Sequence, residues 1–144
     1  MSGDDYEGKL DGVRVLIVDD DRDILESFEA ALASEGAETF TASDGNTAIT
    51  RCNEHRPDVV VLDMMLPGRS GFLALEKIKG HADSPSVVMC TANEGQRHQA
   101  YAESLGVDDY LQKPVPLSHL IDTVARLADA RDDDQDGDSD GDDE

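Results

Sequence analysis

Tryptophan is absent from the 144-residue chain, and three Phe and three Tyr are its only aromatic residues, so aliphatic side chains must do most of the packing. Bases are scarce. Twelve Lys and Arg face 33 Asp and Glu, for a formal net charge of −21. The lysines are Lys9, Lys77, Lys79 and Lys113. A surface of that sign repels nucleic acid and anionic lipid, which argues against either as a partner. No apolar stretch reaches membrane-spanning length and no charged-then-apolar leader is visible, so a soluble, cytoplasmic protein is expected. Two cysteines, Cys52 and Cys90, do not make a disulfide framework, and reduced, partly buried thiols are expected. His55, His81, His98 and His119 lack metal-ligand spacing.

The length suits one domain with one core. Five short runs alternate with five longer segments of helical pattern. The runs are VRVLIV (13–18), AETFT (37–41), DVVVL (58–62), SVVMC (86–90) and DDYLQ (108–112). The first, third and fourth are rich in Val, Ile and Leu, as parallel strands covered on both faces must be. Ile24, Leu25, Phe28 and Leu32 recur at helical spacing before Gly36. Asp44 and Ser70 stand where N-caps belong, ahead of Ala48, Ile49 and Cys52 and of Phe72, Leu75 and Ile78. A weakly amphipathic fourth helix holds Ala100, Tyr101 and Leu105, and a fifth holds Leu117, Leu120, Ile121, Val124, Leu127 and Ala128. Strict alternation of this kind implies right-handed crossovers and a doubly wound α/β fold, a five-stranded parallel sheet flanked by five helices. Residues 1–11 are expected to be a flexible acidic leader, 12–130 the packed domain, and 131–144 a disordered acidic tail.

The stretch VVVLDMMLPGRSG (59–71) is apolar until Asp63. A carboxylate at the end of a buried strand needs a partner or a task. In parallel sheets, sites form at the carboxyl ends of the strands. There the first strand ends in Asp19-Asp20-Asp21, the third in Asp63, the fourth in Thr91 and the fifth in Lys113. Several carboxylates brought together cannot all stay ionised unaided, and a hard cation such as Mg²⁺ answers that need with oxygen ligands. A lysine and a hydroxyl beside it suit a phosphoryl group, and a carboxylate can itself be the nucleophile, forming an aspartyl phosphate.

VLIVDDD, VLDMMLPGRSG, VMCTA and DDYLQKP stand in an order and spacing that resembles the receiver domain of two-component response regulators, the CheY-like family, over about residues 12–130. The resemblance implies the flavodoxin-like strand order 2-1-3-4-5. It implies Asp63 as phosphoacceptor, Asp20 as a direct carboxylate ligand of Mg²⁺, Asp19 acting largely through water, and a backbone carbonyl from Met65. Thr91 matches the switch hydroxyl, Lys113 the phosphate-binding lysine, Pro114 the proline of a cis peptide bond, and Tyr110 the switch aromatic. Met65 and Asn93 hold positions that tune phosphoryl lifetime in the family. Ser70 stands where an Asp is common, and Asp21 is expected to face solvent.

The implied function is a signalling switch rather than a conventional enzyme. Asp63 would take a phosphoryl group from a sensor histidine kinase or phosphotransfer protein. A face built from the fourth helix, fifth strand and fifth helix would then bind a protein target. No basic helix-turn-helix or catalytic module is visible, so output by protein contact is expected. Two rivals remain at this stage. A haloacid-dehalogenase-like phosphatase would use Asp19, the first Asp of a D-x-D after the first strand. A receiver that is never phosphorylated would act as a constitutive binding module.

The acidity is not confined to the tail: removing the nine acids of residues 132–144 takes the net charge from −21 to −12 over the remaining 131 residues. Such a body resembles proteins of salt-accumulating halophiles, whose like charges depend on dissolved salt for screening. Melting followed by circular dichroism is expected to show a markedly higher Tm in molar KCl than in near-zero salt. Equal melting points would remove the halophile expectation.

Overall fold

A computed structural model of the chain describes residues 8–66, 70–81, 83–92 and 96–142; of residues 96 and 132–142 only the backbone is described. Five strands are present among them: β1 Arg14–Val18, β2 Glu38–Ala42, β3 Val59–Asp63, β4 Ser86–Thr91 and β5 Asp109–Gln112. They alternate with α1 Arg22–Ser34, α2 Gly45–His55, α3 Gly71–Lys79, α4 Gln96–Ser104 and α5 Leu117–Asp142. All strand pairs are parallel, in the order β2-β1-β3-β4-β5. This is the doubly wound α/β arrangement that the alternation predicts.

Strand alternation divides the core into two layers. Val15 and Ile17 of β1, Val59 and Val61 of β3 and Val88 of β4 pack against Phe28 and Leu32 of α1 and Leu120, Val124 and Leu127 of α5. Leu16, Val60, Leu62, Val87 and Met89 point the other way, against Ala48 of α2, Ala74, Leu75 and Ile78 of α3 and Ala102 of α4. Because β3 and β4 are covered on both sides, every residue in them is buried.

The caps follow from local chemistry. Asp44 accepts a hydrogen bond from the Thr47 N–H at 2.7 Å, and the Ser70 hydroxyl accepts one from Leu73 at 3.3 Å. Asp21 faces solvent as expected, but it also caps α1, accepting from Asp23 at 2.9 Å and Ile24 at 3.3 Å.

Three boundaries differ from the sequence pattern. The leader was expected to run free to residue 11, yet Leu10 is fully buried in the first core layer and its N–H donates to the Glu35 carbonyl at 2.9 Å. One aliphatic side chain in a polar stretch is enough to dock it, since burying a leucine gains roughly 1.5–3 kcal/mol. At the other end the backbone of α5 is helical to Asp142, into the segment 131–144 where a disordered tail was expected. Extending a helix that already exists adds one hydrogen bond per residue fixed and requires no new nucleus. Leu117, grouped with the apolar residues of the fifth helix, is 41% exposed because the packed stripe begins one turn later, at Leu120.

Leu10→Ala should destabilise the protein by about 2–5 kcal/mol, as expected for emptying a buried leucine site. Urea unfolding measures it. A loss below about 1 kcal/mol would show that the segment does not belong to the core.

Candidate functional site

Strand register brings the charged residues together. Val18 of β1 stands opposite Leu62 of β3, so the next residues, Asp19 and Asp63, lie side by side. Asp63 stands opposite Cys90 of β4, and Thr91 stands opposite Gln112 of β5. The Lys113 N–H donates to the Thr91 carbonyl at 2.7 Å, which carries the lysine to the same sheet edge. Asp19, Asp63 and Lys113 continue the alternation of Ile17, Val61 and Leu111, which all belong to the first core layer.

The Lys113 amine donates to Asp19 Oδ2 at 2.7 Å and to Asp63 Oδ1 at 3.1 Å. Both carboxylates are buried, while Asp20 is exposed. Asp19 is held further by its other oxygen, which accepts the Asp21 N–H at 2.9 Å. One carboxylate oxygen from each of Asp19, Asp20 and Asp63 lies within 4.8 Å of the others, close enough for a single cation to touch all three.

The electrostatics show a shortage of positive charge. Unit charges 4 Å apart interact by about 4 kcal/mol at an effective dielectric near 20. Three carboxylates and one amine therefore leave the cluster acidic. Burial pushes the Asp63 carboxyl above its ordinary value, and Asp19 pushes it the same way, with Lys113 opposing both. Burial alone would lower the Lys113 ammonium, but its hydrogen bond to Asp19 and the charges of Asp63 and Asp19 outweigh that and raise it. A hard, oxygen-seeking cation fits this donor set.

Thr91 sits differently. It continues the alternation of Val87 and Met89, which face the second core layer, and its hydroxyl donates to Met64 Sδ at 3.8 Å. Tyr110 is half-buried beside it with its hydroxyl sealed from solvent. Burial raises the phenol's pKa and Thr91 works against that rise. Met65 follows the strand and is 70% exposed. The Lys113–Pro114 bond is cis, in line with the resemblance. Burial pushes the Cys90 thiol up to about 12 and that of Cys52 to about 11, so both remain protonated packing groups. Residues 67–69 and Asn93 lie outside the described residues.

Two contributors were not singled out from sequence. Gly71 opens α3 hard against the end of β3: a Cβ there would stand 2.4 Å from the Asp63 carbonyl and 2.7 Å from Met64 Cα, so only glycine permits the approach. Its N–H donates to the Met64 carbonyl at 2.8 Å. A glycine directly after a capping serine was the available signal. Met64, the Thr91 acceptor, had no signal beyond its apolar character.

An open parallel sheet with a carboxylate cluster, a buried lysine and a hydroxyl at its carboxyl edge defines an α/β protein equipped for phosphoryl acceptance. A family model described as the response regulator receiver domain matches residues 15–125, and the chain belongs to that family. A CheY-like receiver domain protein from Methanospirillum hungatei JF-1 is similar at 26% identity and a TM-score of 0.81, over 85% of this chain and 98% of that one. The chemotaxis protein CheY4 of Vibrio cholerae matches at 26% identity and a TM-score of 0.76, over 80% and 98%. NtrX from Brucella abortus matches at 29% identity and a TM-score of 0.80, over 86% of this chain but 29% of that one. The protein is thus a receiver of two-component signalling, a class of switch that works between histidine kinases and downstream effectors.

The raised pKa of Asp63 sets a pH dependence in metal-free buffer. Below the unfolded carboxylate value, near 3.8, Asp63 is protonated in both states and its ionisation costs nothing. As pH rises, the unfolded chain loses the proton first, so stability falls until the folded pKa is passed. Asp63→Asn is therefore expected to raise Tm by about 2–5 °C at neutral pH, with the gain shrinking toward pH 4. Calorimetry without divalent ions checks this, and an unchanged Tm would mean that Lys113 compensates Asp63 fully.

Proposed function

We propose that Asp63 is the phosphoryl acceptor of this receiver and that Asp19, Asp20 and Asp63, with the Met65 carbonyl, hold Mg²⁺. The observation that carries the assignment is the convergence of three carboxylates within 4.8 Å around an amine that bridges Asp19 and Asp63. An Asp63 oxygen attacks the phosphorus of a phosphohistidine. The N–P bond breaks and its electron pair stays with the imidazole nitrogen of the kinase or phosphotransfer protein. Bound magnesium supplies positive charge against the carboxylates and the phosphoryl oxygens. Lys113, already 3.1 Å from Asp63, donates to an equatorial phosphoryl oxygen. Asp19 keeps the lysine aimed and charged.

Thr91 and Tyr110 form the switch in this proposal. A phosphoryl group on Asp63 offers the Thr91 hydroxyl a better acceptor than the Met64 sulfur, and its departure frees space beside the Tyr110 ring. The readout is the face of α4, β5 and α5. Tyr101 on α4 is 52% exposed and Leu117 at the start of α5 is 41% exposed, as suits an apolar anchor for a protein target. No described helix is long and apolar enough to cross a membrane, and we assign the protein to the cytoplasm with its kinase. The acidic body fits a salt-rich interior.

Incubation with acetyl phosphate and Mg²⁺, followed by mass spectrometry, should place one phosphoryl group on Asp63. Asp63→Asn should abolish the adduct while keeping the fold. Modification at Asp19 would favour a phosphatase-like chemistry, and equal incorporation by the variant would remove Asp63 as acceptor.

A further inference from the structure

The described surface also carries a cavity lined by charges of opposite sign. It measures about 570 Å³ and opens at the amino-terminal edge of the sheet. Pro57 leads into β3 and Pro85 into β4, so it lies a strand length from Asp63, about 15–20 Å. Its floor is apolar, with Cys52, Ile78 and Pro85 buried and Ile49 half-buried. Among the described lining residues, the rim carries Arg56, Lys77, Arg131 and the ring of His81, against one acid, Asp83. In a chain with 33 acids and 12 bases, three bases to one acid inverts the balance among these described residues. None of the three bases pairs with a carboxylate among the described residues. Arg131 spends one guanidinium nitrogen on the Ser84 carbonyl at 2.7 Å, which fixes the head at the rim.

Arg56 adds a separate observation. It ends α2 in the left-handed region, at φ 51° and ψ 59°, with its N–H donating to the Cys52 carbonyl at 2.9 Å. Glycine fills such a position without strain, and an arginine there costs stability. Strain of this kind persists where the surroundings over-determine it, and it clusters at ligand sites.

We propose that this cavity binds a compact organic phosphate of nucleoside monophosphate size. The volume lies in the range that holds one small molecule. Guanidinium forks and an ammonium match phosphate oxygens, and a guanidinium also stacks on a flat ring. The apolar floor takes the ring, and the Asn53 amide on the lining can read its edge. The acidic remainder of the surface repels anions, so affinity is concentrated here.

The test is a titration of the full chain, free of divalent ions, with AMP and separately with inorganic phosphate, followed by amide chemical shifts. AMP should give saturable shifts at residues 52–57, 77–85 and 131 and not at 19, 63 and 113, with inorganic phosphate weaker. Arg56→Gly removes the charge and relaxes the backbone together. It should weaken AMP by about tenfold while Tm is unchanged or higher. Lys77→Gln should weaken binding similarly. The proposal is overturned by absence of saturable shifts at the cavity up to about 10 mM AMP. Shifts confined to the Asp63 edge would overturn it too, as would parental affinity in both variants. Inorganic phosphate binding as tightly as AMP would overturn the organic-phosphate assignment.

Discussion

Two buried carboxylates on neighbouring strands share one amine, and the functional edge depends on that arrangement. Without Lys113, Asp19 and Asp63 would face each other at strand ends with little solvent to separate their charge. With it, the repulsion is offset in part, while burial and then the charge of Asp19 still hold the Asp63 carboxyl above its ordinary value. That remainder is useful. A fully neutralised cluster would have no call on a cation, and a fully unpaired one would cost too much to fold. Under the proposed function, this intermediate charge suits the entry of a divalent ion together with a phosphoryl group.

The scaffold earns this precision from register rather than from loops. Asp19, Asp63 and Lys113 each follow directly on a buried strand, and the adjoining strands fix their height within the sheet. Gly71 lets α3 close on the end of β3, and Asp21 and Ser70 cap the helices that flank the edge. Thr91 belongs to the same edge but to the opposite alternation, touching the Met64 sulfur and the Tyr110 side. One residue thus stands between the acid cluster and the layer covered by α2, α3 and α4. A packed layer of that kind responds to a displaced side chain as a unit because it has few voids to absorb the change.

Charge is distributed unevenly along the molecule. The carboxyl edge gathers acids around one lysine, whereas the amino edge gathers Arg56, Lys77 and Arg131 around an apolar floor. Parallel topology makes such a division possible, since all loops that enter strands lie on one side and all that leave them on the other.

Much of this is legible in the sequence alone. Alternating runs identify the strands, the helical spacing of Phe28 and Leu32 or of Leu120 and Val124 identifies the packed stripes, and a carboxylate ending an apolar run marks Asp63. These signals are local, set by side-chain period and by the cost of burying charge. Other features depend on partners far apart in the chain. Leu10 is buried in a core layer drawn from distant segments, beside a backbone hydrogen bond to Glu35, and the need for glycine at 71 rests on the Asp63 carbonyl. Asp19 lies inside and Asp20 outside because only one of two adjacent residues can follow the inward alternation of β1. The basic rim joins Arg56, Lys77 and Arg131 from three separate segments, a meeting that no spacing in the sequence records because packing of α2, α3 and α5 around the sheet creates it.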